Sequence, residues 1–109
     1  MPTIRDFHAH IYFDPDQAGV AGALGQAIIA AFPETRMGRV HLQPVGPHPR
    51  GSCQITVPVA SFAPVTMWLL GHRGALTIFM HANTGDDLAD HTAHVLWLGP
   101  SEALDLSRF

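Results

Sequence analysis

The run Phe7-His8-Ala9-His10-Ile11-Tyr12-Phe13 passes directly into Asp14-Pro15-Asp16. Side chains alternate along an extended backbone, so Phe7, Ala9, Ile11 and Phe13 share one side and His8, His10 and Tyr12 the other. That alternation predicts a strand with one apolar and one histidine-bearing face. Asp14 then reads as a helix N-cap and Pro15 as the first helical residue, where a missing N–H costs nothing. Apolar residues at Val20, Leu24, Ala27, Ile28 and Ala31 continue at helical spacing from about Gln17 to Phe32, and Pro33 closes the segment. Gly19, Gly22 and Gly25 lower its intrinsic propensity, so packing must hold this helix.

Farther along, Arg39–Gln43 predicts a short second strand, and the Pro- and Gly-rich loop 44–51 carries His48. Ser52–Val59 predicts a third strand, with Cys53, Ile55, Val57 and Val59 on one side. Phe62–Leu70 reads as a second helix with Pro64 in its first turn, and Gly71-His72-Arg73-Gly74 as a turn. Ala75–His81 predicts a fourth strand, Leu88–His91 a helical turn, and His94–Leu98 a last strand. The order β-α-β-β-α-β plus a C-terminal strand is the ferredoxin-like pattern. It implies an α+β fold, with both helices on one face of an antiparallel sheet, in a single domain covering 1–109.

The two sheet faces separate by residue type. Ile11, Phe13, Val40, Leu42, Ile55, Val57, Ile78 and Met80 form the face that the helices should cover. His8, His10, Tyr12, His41, Gln43, Gln54, Thr56, Thr77, Phe79 and His81 form the other. A polar, histidine-rich face makes sense as a wet pocket closed by a second copy of the chain, two sheets forming a barrel around a shared interior. A homodimeric α/β barrel is therefore expected.

Bulk composition narrows the function classes. Hydrophobic residues make up 47% and charged residues 14% of 109, which excludes a disordered chain. Six scattered Lys and Arg against nine Asp and Glu argue against nucleic acid as a partner. No apolar run approaches the roughly 18 residues of a membrane span, and no basic-then-apolar leader is visible at the N-terminus. The lone Cys53 cannot form an internal disulfide, as suits a reducing cytoplasm.

Eight histidines are many for a chain of this length. In the strand order 4-1-3-2, the end of the fourth strand lies beside the start of the first. His81 then meets His8 and His10 on the polar face, His94 starts close by, and His48 could close the site from its loop. Converging imidazoles suit a divalent first-row metal such as Fe(II), Zn, Mn or Cu, and ligation at an open face leaves room for substrate. Read singly, each residue has a plainer reading. An H-x-H pair can be an ordinary polar face, His48 between prolines an exposed turn, and His81 a hydrogen-bonded structural histidine. His41 and His72 read as surface groups and Cys53, Trp68 and Trp97 as core. Asp90 and His91 cap a turn or orient a ligand. The combination is what points to a metal site.

These blocks carry a resemblance. His8-Ala9-His10-Ile11-Tyr12-Phe13, Gly46-Pro47-His48-Pro49, Arg73-Gly74, His81 with Asn83-Thr84-Gly85, and Asp90-His91-Thr92 with Trp97-Leu98-Gly99 resemble the signature blocks of the DOPA 4,5-dioxygenase family. Their order and spacing match over nearly the whole chain. The resemblance implies a dimeric, ferredoxin-like barrel and extradiol ring opening of a catechol such as 3,4-dihydroxyphenylalanine by O2, with Fe(II) as cofactor and Zn or another divalent ion as an alternative. Two positions depart from the family: Ala82 where Pro is common, and His72 where Asn is frequent. Both bear on substrate preference more than on metal binding.

Face parity and this resemblance together assign His10, His48 and His81 as the metal set, with His8 the first substitute. His8 or His94 would be the acid/base, and Arg73 would pair with a substrate carboxylate. Asp6, of the same parity as His8, is available should the site use two histidines and a carboxylate. The main alternative is a non-catalytic dimeric barrel that binds a metal or small aromatic, because this architecture hosts many functions. A cupin would want an all-β pattern and a nearby Glu, and Asp14-Pro15 leads into a helix instead.

Overall fold

The computed structural model describes residues 2–109. Five strands form one antiparallel sheet: β1 Asp6–Phe13, β2 Arg36–His41, β3 Gly51–Pro58, β4 Thr77–Asn83 and β5 Val95–Leu98. Helices α1 (Ala18–Ala31) and α2 (Phe62–His72) are the crossovers, and a single turn, α3 (Asp87–Asp90), precedes β5. The spatial order is β2-β3-β1-β4-β5, so β1 lies at the centre and its histidines are flanked on both sides. The sheet is open, with β2 and β5 as its edges, and one chain does not close the expected barrel. Among the described residues no helix is long and apolar enough to cross a membrane.

The apolar face carries the core. Ala9, Ile11, Phe13, Ile55, Val57, Ile78 and Met80 pack against Ala21, Leu24 and Ile28 of α1 and Val65 and Leu69 of α2. The α1 stripe therefore runs 21-24-25-28, rotated from the predicted one, and Val20 is 64% exposed. Gly25 sits in that stripe because α1 comes close to β2: a Cβ there would lie 2.8 Å from Met37 Cε. The 14–17 entry turn has the predicted cap, with Asp14 and Gln17 forming a capping box.

Other boundaries shift. β2 begins earlier than predicted and carries a bulge between Met37 and Val40. That extra length puts Leu42 past the strand end, 58% exposed rather than in the core. Val59 likewise leaves β3 for a 3-10 turn and is exposed. α2 runs through the predicted turn at Gly71-His72, where the His72 ring stacks on Trp68 with centroids 3.9 Å apart.

Candidate metal centre

Strand register assembles the histidine face. His8 pairs with His81 across β1–β4 and with Thr56 across β1–β3; His10 pairs with Phe79 and Gln54; Tyr12 pairs with Thr77 and Ser52. Directly paired residues point the same way, so the alternation of three strands converts into one surface. The chain itself supplies part of its cover. The loop 42–50, turned by Gly46 at φ +55°, lays the His48 ring over His10 with centroids 4.1 Å apart. Trp97 of β5, read from sequence as core, stands on this face against Phe79, 4.6 Å between centroids.

His8, His10 and His81 each bring one ring nitrogen into a group that lies within 4.8 Å. His10 Nε2 and His81 Nε2 are 3.0 Å apart. That is close to the roughly 2.9–3.3 Å between two nitrogens on one first-row ion with bonds of about 2.0–2.1 Å. His81 Nδ1–H donates to the Ala82 carbonyl at 3.0 Å, which leaves its Nε2 lone pair facing the cluster. A ligating histidine is commonly held through its other nitrogen in this way. The Gln54 side-chain amide lies 3.3 Å from His8 Nε2. The donor set thus suits an imidazole-binding ion, and no carboxylate joins it among the described residues. Asp6 has the expected parity but accepts from Asn83 Nδ2 at 2.7 Å.

Burial governs the protonation of these rings. His10 and His81 are 3% and 2% exposed. Desolvation, helped by the neighbouring imidazoles, holds His10 well below its ordinary value and brings His48 to about 4. His81 is brought to about 4 by burial, opposed by its bond to the Ala82 carbonyl. His8 is lowered mainly by burial, with Asp6 opposing. Neutral imidazole is the form that ligates a metal.

The remaining sequence-predicted residues are spread more widely. His48 lies against His10 but is not one of the trio, and its Nδ1 shares a 2.7 Å hydrogen bond with the Tyr12 hydroxyl. Burial raises the Tyr12 phenol above its ordinary value, so Tyr12 is a neutral partner. His94 is placed elsewhere: its carbonyl accepts from Ala82 N–H, which gives it the parity of the apolar face. There it borders a second cavity of about 270 Å³ with Phe7, Phe62, Met80 and Leu96, which also touches His81, and its Nδ1–H donates to Asp90 at 2.9 Å. Arg73 is also away from the trio, spending one guanidinium N–H on the Leu76 carbonyl and packing over Gly99.

Two further residues enter the site, one that the sequence offered only as a turn cap or an orienting group and one that it did not single out. His91, at the end of α3, stacks near His81 with centroids 4.2 Å apart, and Phe109 lies 4.5 Å from His91. Both line a cavity of about 290 Å³ with His8, His10, His48, Gln54, His81, Asn83 and Asp87. That volume is near the small end for ligand pockets, which start at about 300 Å³, and suits a molecule with one ring. The His91 signal was its adjacency to Asp90, whose buried carboxylate fixes the loop. Nothing local marked Phe109, which arrives by the path of the segment 99–109.

Comparison with known proteins places the chain. Residues 7–108 match the family described as the Dopa 4,5-dioxygenase family. A DOPA 4,5-dioxygenase from Amanita muscaria is 38% identical over 112 residues, covering 95% of this chain and 49% of that protein. An uncharacterised 21.2 kDa protein from Botryotinia fuckeliana is 34% identical, covering 93% of this chain and 61% of its own length. The chain thus spans about half to three-fifths of the curated relatives it matches. The crystal structure of a candidate dioxygenase from Nostoc punctiforme superposes with a TM-score of 0.92 at 39% identity, covering 96% of this chain and 90% of that one.

Proposed function

The chain belongs to the Dopa 4,5-dioxygenase family, and from that premise we propose that it is a metal-dependent extradiol dioxygenase opening the ring of a catechol with O2. The observation that carries this reading is the trio His8, His10 and His81, with nitrogens within 4.8 Å of one another beside a ring-sized cavity. In this reading those residues hold the metal, Fe(II) by preference. Bound iron would supply the redox coupling between an electron-rich ring and dioxygen.

The chain's own residues do the rest. His81 is oriented by the Ala82 carbonyl, so its Nε2 is preset rather than searched for. His48 and His91 border the same cavity and are available for the catechol proton; His94 is not among its lining residues. Tyr12 holds His48 through its Nδ1. Phe79 and Trp97 pack against each other on this face beside the cluster. The same reading takes a single ferredoxin-like domain and a homodimer, since Met67, Leu70 and Leu96 remain exposed on one chain. A cytoplasmic setting fits the single, buried Cys53.

Anaerobic reconstitution with Fe(II), then oxygen and a panel of catechols, tests the proposal. Oxygen uptake with a yellow muconic semialdehyde is the expected result. His10→Ala and His81→Ala should each weaken iron retention by at least the roughly 10–100-fold that follows loss of an outer-shell partner. Full retention in both variants would remove this ligand set. Metal binding without uptake on any catechol would favour a non-catalytic binding module.

A further inference from the structure

We propose that the histidine cavity selects among catechols by charge, preferring a side chain that ends in ammonium over one that ends in carboxylate, with Asp87 as the selecting residue. This rests on the catechol reading above and goes beyond it by naming the substrate class. Among the residues lining the cavity, Asp87 is the only Asp, Glu, Lys or Arg. Its carboxylate is exposed and has no cationic partner within 4.0 Å among the described residues. It is also spared from capping: Asp86 is the N-cap of α3 and accepts the Ala89 N–H at 3.1 Å.

The surroundings reinforce that sign. Asp6 pairs in register with Asn83, a lining residue, and accepts from its amide at 2.7 Å, which brings a second carboxylate next to the lining. None of the six arginines lines the cavity, although Arg36 of β2, in register with Thr56, faces the same side of the sheet. Arg50 forms paired bonds to Glu102 at 3.0 and 2.8 Å and a third to Asp14. Arg73 lies over Gly99, and Arg5 packs beside Gly85 outside the lining. A substrate carboxylate at this mouth would face carboxylates without a compensating fork, whereas an ammonium group would find an acceptor.

Binding can be read without turnover by loading the protein with redox-inert Zn(II) under nitrogen. Dopamine, 4-methylcatechol and 3,4-dihydroxyphenylacetate are then titrated by calorimetry. The expected order of affinity is dopamine, then 4-methylcatechol, then the acid, each step roughly two- to fivefold as for exposed ion pairs. The gaps should narrow as salt rises. Asp87→Asn should remove most of the dopamine advantage and Asp87→Lys should reverse the order. Equal affinities, a preference for the acid, or an unchanged order in Asp87→Asn would overturn charge selection while leaving the catechol reading in place. Failure of all three ligands to bind would overturn the catechol reading and the inference with it.

Discussion

Gly51 opens β3 immediately after the His48 loop, and its missing side chain is a packing requirement rather than a turn preference. A Cβ at this position would lie 2.7 Å from Phe13 Cε2 and 3.1 Å from the His41 carbonyl. Phe13 is fully packed in the core and cannot swing aside at low cost. Gly51→Ala is therefore expected to cost about 1–3 kcal/mol by overpacking, read as a lowered urea midpoint; an unchanged midpoint would show that Phe13 repacks freely. At the same scale, the alternation of His8, His10 and Tyr12 was legible from sequence because strand parity is a property of the backbone. The partner of each ring was not. The motif marked His48, but not that its Nδ1 would meet the Tyr12 hydroxyl, a contact that spans 36 positions of sequence.

Among the elements, the segment from Thr84 to His94 is organised by one carboxylate. Asp90, 1% exposed, accepts from Thr84 N–H and Thr84 Oγ1–H at 2.6 Å each and from His94 Nδ1–H at 2.9 Å. Burial opposes its ionisation, but these bonds outweigh that cost and bring it down to about 2. Asp90→Ala would leave buried donors unsatisfied and is expected to destabilise the protein by about 1–3 kcal/mol. Hydrogen exchange should then speed up over 84–94, including the turn that carries Asp87 and His91, more than in β1. Uniform loss of protection would instead mean that the loop is not a separate unit. Helices and strands were largely readable from period and caps, whereas β2 was misplaced because a bulge breaks the period on which the reading depends.

For the whole molecule, the buried imidazoles link stability to pH. Burial, the main cause in each, brings His48 and His81 to about 4 in the folded chain against an ordinary 6.5 and holds His10 well below that ordinary value. Above pH 6.5 these rings are neutral in both states and contribute no slope. As pH falls from 6.5 toward 4, the unfolded chain takes up protons that the folded one refuses, so unfolding becomes easier. Asp90 adds a second loss between its ordinary 3.8 and about 2. Urea midpoints of the metal-free protein should fall between pH 7 and 4.5; a flat profile would show that the rings are hydrated in solution. A bound metal should be released over the same acid range, because protons compete for the same nitrogens.

The sequence by itself determined the α+β layering, the division of the sheet into apolar and histidine faces, and the placement of His8, His10 and His81 on the latter. Those follow from periodicity and from one strand order. Tertiary structure alone decided which nitrogens approach to within ligating distance, that His94 and Arg73 fall outside the cavity, and that His91, Asp87 and Phe109 enter it. Loop paths set these outcomes. They depend on long-range contacts such as Arg50 with Glu102 and the Asp105 N–H with the Pro47 carbonyl. No local pattern encodes those contacts, because their partners are brought together only after the sheet has formed.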